Sequence, residues 1–272
     1  MSKRIDLKNI KMKTLVLTVI AGMFGMNVSA QNLNKSTIVL VHGAWSDSSA
    51  WEKVTPELKS KGFNVVAVSL PGHGGDKTPF PSITLKSYVD AVKEAIGDQK
   101  NIILVGHSMA GVVISQVAED MPGSIKKLIY LSAYLPASGQ SLLDIATKDE
   151  GSHVGKYLQI DKEKASAGIA KEGVVDIFVA DAPRDVQNKF SAGVQADPLF
   201  PFATPVSLSD AHFGAVEKVY IYTINDHAIS YVTQQSMVNK VSGIRTYSLK
   251  SSHTPFISMP KEVAAILIKE GQ

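Results

Sequence analysis

The stretch Ile102-Ile103-Leu104-Val105-Gly106-His107-Ser108-Met109-Ala110-Gly111 decides how the rest of the chain is read. Its four leading aliphatic residues form a buried strand pattern, and Ala110 to Met121 continues as an apolar helix. Between them stands Gly-x-Ser-x-small, the pattern of a nucleophile elbow, in which a serine occupies a strained turn from strand to helix. The two elements close around that turn, so a side chain at 106 or 110 is expected to collide. Ala110, where the strict pattern has Gly, departs by one methyl. Taken alone, the pattern also describes a helix cap with Ser108 serving its own backbone. The flanking strand and helix are the context an elbow demands, and Ser108 is read as a nucleophile.

Outward from the elbow, the same alternation repeats. Thr37 to Val41 reads as a strand entering His42-Gly43, Ser49 to Lys61 as a helix closed by Gly62, and Phe63 to Ser69 as a second strand halted by Leu70-Pro71-Gly72-His73-Gly74-Gly75. Thr84 can cap a helix whose apolar residues Leu85, Tyr88, Val89, Val92 and Ile96 recur at helical spacing, with Gly97 at its end. A strand at Ile125 to Leu131 follows. Strands that are apolar throughout need cover on both faces. The expected class is therefore α/β: a mostly parallel, doubly wound sheet with helices on both sides. Regularity fails from Ala133 to Val216, a stretch too long for a loop in a compact domain, and a partly helical cap is expected over about residues 134–216. The alternation resumes with a strand at Lys218 to Ile224, a helix around Ser230 to Val241, a strand at Arg245 to Leu249 and a helix entered through Pro260.

A serine nucleophile needs a base, and the chain has seven histidines. His42 and His107 lie inside turn motifs and read as loop braces. His73, His153 and His212 read as surface or locally bonded rings, and His227 directly follows a candidate acid. His253 stands just past the last strand, and in a parallel sheet the strand ends share one edge, which would bring it beside Ser108. The strand Val219 to Ile224 ends in Asn225-Asp226, and Asp226 is the acid immediately after a strand between Ser108 and His253. Its plain alternative is a turn residue. An oxyanion hole needs two convergent backbone N–H groups; the residue after the nucleophile, Met109, supplies one, and Ala44 in the His42-Gly43-Ala44-Trp45 turn supplies the other.

These segments together resemble the α/β-hydrolase superfamily, whose chain order of nucleophile, acid and base is that of Ser108, Asp226 and His253. More narrowly, the chain resembles the methylesterase and hydroxynitrile lyase-like esterases, in their bacterial, pyrethroid-hydrolase-like branch. The residues that carry this are Val39 to Trp45 with Trp51, Leu70 to Gly74, Val105 to Met109, Tyr134-Leu135-Pro136 with Ser141-Leu142-Leu143, Ala203-Thr204-Pro205, Asp226, and Ser252 to Phe256. The lyase branch is disfavoured, because that branch has a Thr at the position of Gly43 and a Lys where Thr254 follows the histidine. The resemblance implies a cofactor-free serine hydrolase cleaving small to medium carboxylic esters through an acyl-enzyme. The alternatives are hydrolysis of an amide, lactone or C–C bond, or a ligand receptor on the same scaffold. The cap aromatics Phe178, Phe190, Phe200, Phe202 and Phe213 are candidates to line the pocket with Trp45 and Tyr134, but most read equally well as ordinary core residues and the sequence singles out none of them.

Charge and composition limit the partners. The chain has 272 residues, 28 basic against 25 acidic, and a formal net charge of +3. Lys3, Arg4, Lys8, Lys11 and Lys13 precede the apolar run Leu15 to Met26 and the small residues Val28-Ser29-Ala30, the order of a secretory signal peptide cut after Ala30. Met12 is an alternative start, because Met12 to Ala30 reads as a complete signal by itself. Removing residues 1–30 leaves 23 basic and 24 acidic residues on one domain, 31–272, with no net attraction to nucleic acid. The apolar run is too short for a spanning helix, so an exported, periplasmic or secreted protein without a membrane anchor is expected. With no cysteine, thiolate metal sites and a cysteine nucleophile are excluded, and no metal or cofactor is assigned.

Overall fold

The structure, a computed structural model, describes residues 36–272. The expected export signal, residues 1–30, lies outside the described residues. Six strands, β1 (Thr37–Val41), β2 (Asn64–Val68), β3 (Ile102–His107), β4 (Ile125–Leu131), β8 (Glu217–Thr223) and β9 (Arg245–Leu249), form one sheet in the order β2-β1-β3-β4-β8-β9. Every pairing in it is parallel. Their carboxyl ends therefore share one edge, the edge where ligands bind in open α/β sheets.

Both faces are covered, as the apolar strands require. Val39, Leu104, Tyr130 and Tyr220 face α2 (Leu85–Ile96) and α3 (Ala110–Asp120), while the alternate residues Ile38, Val105, Ile129 and Val219 face α1 (Thr55–Ser60) and α11 (Pro260–Gly271). Helix α2 starts at a capping box between Thr84 and Ser87 and ends at Gly97 with φ +56°, a left-handed residue that costs glycine little. The expected helix over Ser49 to Lys61 is instead a short 3₁₀ turn, Ser48–Trp51, followed by α1, which begins only at Thr55-Pro56. Asp47 caps that 3₁₀ turn, and Pro56 sits in the first turn of α1, where its missing N–H is harmless.

Between β4 and β8 the chain builds a cover over the carboxyl edge. It contains five short helices, α4 (Leu142–Ala146), α5 (Val154–Tyr157), α6 (Val174–Phe178), α7 (Arg184–Gly193) and α8 (Phe200–Ala203). It also contains a three-stranded antiparallel sheet of β5 (Leu158–Asp161), β6 (Ser166–Ile169) and β7 (Asp197–Pro198). The sequence suggested a partly helical cap without marking this small sheet, because strands of two to four residues leave no period to read. After β8 come α9 (Tyr231–Val238), capped by Ser230, and α10 (Pro255–Ser258), which precedes α11. No described helix is long and apolar enough to cross a membrane.

The end of the sheet away from the covered site is tied together by charge. Glu270 on α11 is closed off from solvent and accepts bonds from Lys127 Nζ (2.8 Å), Arg245 Nη1 (2.7 Å) and Tyr247 Oη (2.5 Å). Burial opposes its charge, but those three donors prevail and hold its carboxyl at about 2.

Candidate active site

Ser108 sits at the carboxyl end of β3 with φ +54°, a left-handed conformation unusual for a residue with a side chain. A sharp turn is enforced on both sides. A Cβ on Gly106 would lie 2.9 Å from the Ala110 carbonyl oxygen, so residue 106 must be glycine. The expectation for position 110 is corrected: the Ala110 methyl is buried without conflict, and the crowded position is Gly111, where a Cβ would fall 1.9 Å from the Tyr134 carbonyl oxygen. The Ser108 carbonyl accepts the N–H groups of Gly111 and Tyr134, each at 3.1 Å, which fixes the elbow against the chain leaving β4.

His253 and Asp226 meet beyond β9 and β8. Nδ1 of His253 donates to Asp226 Oδ2 at 2.9 Å, with Oδ1 at 3.1 Å, and both side chains are almost wholly buried. A proton on Nδ1 leaves the Nε2 lone pair free. The other Asp226 oxygen is held by the backbone N–H groups of Ala228 (2.8 Å) and Ile229 (2.9 Å). Thr223 Oγ1 stands 2.6 Å and Gln234 Nε2 3.2 Å from Oδ2, and the Ser132 hydroxyl donates to the same oxygen. Burial alone would raise the Asp226 pKa, but the His253 ring and these hydroxyls outweigh it and hold the carboxyl below its usual range.

A third ring, His107, ties the loop that carries His253 to the elbow. The His107 ring, adjacent to Ser108, lies 4.6 Å from that of His253 at a tilt of 50° and donates through Nε2 to the His253 carbonyl at 2.9 Å. Among the described residues no hydrogen bond links Ser108 Oγ to His253. Such contacts commonly tighten only once substrate is bound.

Gly43 presses the first turn onto the elbow: a Cβ there would lie 2.8 Å from both Ser108 Cβ and His107 Nδ1. His42 sets the direction of the next peptide. Leu70 N–H donates to His42 Nε2 (3.0 Å), so the ring proton is on Nδ1, which donates to the Gly43 carbonyl at 2.8 Å. A planar trans peptide then turns the Ala44 N–H the opposite way from that carbonyl. Burial, reinforced by the charge on nearby His73, pushes His42 down to about 4, so the ring stays neutral and this tautomer persists.

Two groups of the cap brace the turn, the Asp197 carboxylate of β7 and the Ala167 carbonyl of β6, and no motif marks either. Asp197 of β7 is fully buried and accepts the Trp45 N–H at 2.5 Å and His73 Nε2 at 2.9 Å, with Tyr88 Oη at 3.3 Å. His73 Nδ1 also donates, to the Pro71 carbonyl at 3.0 Å. Both ring nitrogens therefore act as donors, which requires imidazolium. Burial opposes that charge, yet the Asp197 contact raises His73 above its ordinary value. The Trp45 indole donates to Ala167 of β6 at 3.0 Å. Ser132, φ +45°, is the other missed residue; it directly follows β4, and the shared-edge rule that found Asp226 would have found it.

Ser108, Ala44 and Met109 line one cavity of about 350 Å³, with mostly apolar walls that include Leu142, Leu158, Phe202 and Ile229. Of the five expected cap aromatics only Phe202 reaches it, beside Trp45 and Tyr134. Phe178 packs on His253 and Phe190, Phe200 is half exposed, and Phe213 lies under Lys218. A larger cavity, about 530 Å³, is walled by Lys148, Lys218, Lys240 and Phe213, and Ser108, Ala44 and Met109 are not among its walls.

A parallel sheet of this order, with a strained serine after β3 and a His–Asp pair after the last two strands, defines an α/β-hydrolase. The chain belongs to the alpha/beta hydrolase family, whose model matches residues 38–266. Two chloroplastic Arabidopsis thaliana proteins with methylesterase names are each 29% identical over 255 and 248 residues. The matches cover 89% and 86% of this chain but 65% and 56% of theirs, so it spans about three fifths of these curated relatives. A pyrethroid hydrolase from Sphingobium wenxiniae is 27% identical, with 84% of each chain covered. Among solved structures, a pyrethroid hydrolase from Sphingobium faniae superimposes with a TM-score of 0.78 at 26% identity, covering 87% of this chain and 97% of that one. An extracellular α/β-hydrolase from a Paenibacillus species gives 0.74, also at 26% identity, over 87% and 99%.

Proposed function

We infer that the protein is a serine esterase that hydrolyses small to medium, uncharged carboxylic esters through an acyl-enzyme. The observation that carries this is the buried His253–Asp226 pair, with its free Nε2, tied through His107 to a serine held at φ +54° on an apolar cavity. The esterase names among its relatives support the same reading.

Ser108 Oγ attacks the ester carbonyl carbon as its proton passes to His253 Nε2, forming the O–C bond and a tetrahedral oxyanion. The Ala44 and Met109 N–H groups bind that oxyanion. The imidazolium, stabilised by Asp226, returns the proton to the alkoxide as the carbonyl–alkoxide bond breaks and alcohol leaves. Water then gives a proton to Nε2 and attacks the acyl carbon, the bond to Ser108 Oγ breaks, and the serine regains its proton. Each oxyanion donor is worth about 100- to 1,000-fold in rate. The cavity volume suits an ester of drug-like size.

The order of basic, apolar and small residues before Gln31 supports export, with a mature chain starting there; N-terminal sequencing of secreted protein tests that point. The catalytic assignment is tested by Ser108→Ala assayed on a short aryl ester. Turnover should fall to the background rate with the fold retained, and preserved turnover would overturn the assignment.

A further inference from the structure

Away from Ser108, on the outer side of the Asp226 loop, three side chains from three segments converge. His153 at the start of α5 and His227 after β8 both aim Nδ1 at Asp176 of α6: His153 Nδ1 lies 2.8 Å from Oδ2 and His227 Nδ1 2.9 Å from Oδ1. The two rings are 4.2 Å apart, and the three ligand atoms all fall within 4.8 Å of one another. The backbone adds a tie, with His153 N–H donating to the His227 carbonyl at 2.8 Å. All three side chains are between about one third and two fifths exposed, so an ion can reach them.

Two neutral imidazoles can satisfy this carboxylate only by carrying both protons on Nδ1. Moving each proton to the water-accessible Nε2 instead turns both Nδ1 lone pairs and the carboxylate toward one point. Three converging lone pairs call for a cation. Two imidazoles and one carboxylate are the donor set of borderline first-row ions, as in the His₂Glu catalytic zinc sites. A tetrahedral zinc site would need the present N···O separations to widen by about half an ångström, which small ring rotations supply.

We propose that His153, Asp176 and His227 form a binding site for one zinc-like divalent ion, completed by water and distinct from the hydrolytic machinery. The residues lie 23 and 51 positions apart in sequence, so no ligand spacing announces the site. Such an ion would clamp α5 and α6 of the cap to the loop after β8. Ser152, Val154 and Ala228, the immediate neighbours of two ligands, line the Ser108 cavity, so the clamp would fix one wall of it.

The test uses the mature chain, stripped with chelator and dialysed, titrated with Zn(II) by calorimetry and with Co(II) by visible spectroscopy. Wild type should bind one ion, give the d–d bands of a low-coordinate cobalt site, and rise in Tm as free Zn(II) increases. Asp176→Asn and His153→Ala should each weaken binding by at least about 100-fold, more than loss of an outer-shell partner costs. His212→Ala, which removes another partly exposed histidine, should leave it unchanged. No stoichiometric binding, or binding that survives Asp176→Asn and His153→Ala, would overturn the proposal. Because the readout is metal binding, its failure leaves the esterase reading untouched.

Discussion

Gly43 approaches Ser108 so closely that a Cβ on it would stand 2.8 Å from Ser108 Cβ, with His107 Nδ1 at the same distance on its other side. Neither neighbour is the far end of a flexible chain: one is a strained backbone position and the other a ring bonded to the His253 carbonyl. Gly43→Ala should therefore displace the elbow or the turn that carries Ala44. We expect kcat/KM for a short ester to drop by at least about 100-fold, the scale of one lost oxyanion donor. Near-wild-type kinetics would show that the two turns are not in functional contact.

Asp197 links the cap to the turn of His42 to Trp45 with a carboxylate that has no exposure to water. Asp197→Asn keeps the size but leaves the His73 imidazolium without its counter-charge, and breaking a buried pair from one side costs about 3–5 kcal/mol. Chemical unfolding should show that loss, together with a lower kcat because Trp45 N–H loses a charged acceptor. A loss below about 1 kcal/mol would contradict the pairing.

Ser132 tests how much the carboxylate depends on its hydroxyl neighbours. Ser132→Ala removes one donor to Asp226 Oδ2 but leaves Thr223, Gln234, His253 and two backbone N–H groups in place. One charge-assisted bond is worth about 1.5–3 kcal/mol, and part of that should reach the barrier. A fall in kcat of about 10-fold is expected, with KM little changed. An unaltered kcat would make Ser132 structural only.

Stability should decline on mild acidification because of His42. Unfolded, its ring takes a proton near 6.5, whereas in the fold it stays neutral down to about 4. The unfolded state thus binds the extra proton first as pH falls, so stability present above 6.5 erodes between there and about 4. From pH 8 to pH 5 this amounts to about 2 kcal/mol. His107, lowered by burial, adds to the loss, and His73, raised by Asp197, offsets part of it. Urea midpoints across that range, where most carboxylates remain ionised, check the sign; equal stability at pH 8 and pH 5 would contradict a buried neutral His42.

Why the placement of Ser108, Asp226 and His253 past the strand ends could be read from sequence, and that of Asp197 could not, follows from the sheet. Apolar strands of five to seven residues announce themselves, and parallel pairing forces their carboxyl ends to one edge, so a polar residue just past a strand is already placed. Asp197 reaches His73 across 124 positions from a two-residue strand inside the cap. Nothing in its neighbourhood, Ala196 and Pro198, distinguishes it from a surface turn. The cap aromatics could not be told apart for the same reason: without a register, Phe202 in the cavity and Phe200 outside it look alike.

The central claim, that Ser108 is the nucleophile served by His253, is met most directly by stoichiometric labelling with an aryl phosphonate ester, followed by peptide mapping and residual turnover on the same samples. One phosphonyl group per chain on Ser108, with activity lost in proportion, is the predicted result, and His253→Ala should react at least about 1,000-fold more slowly. Full activity in a fully labelled sample, or a label carried on another residue, would contradict it.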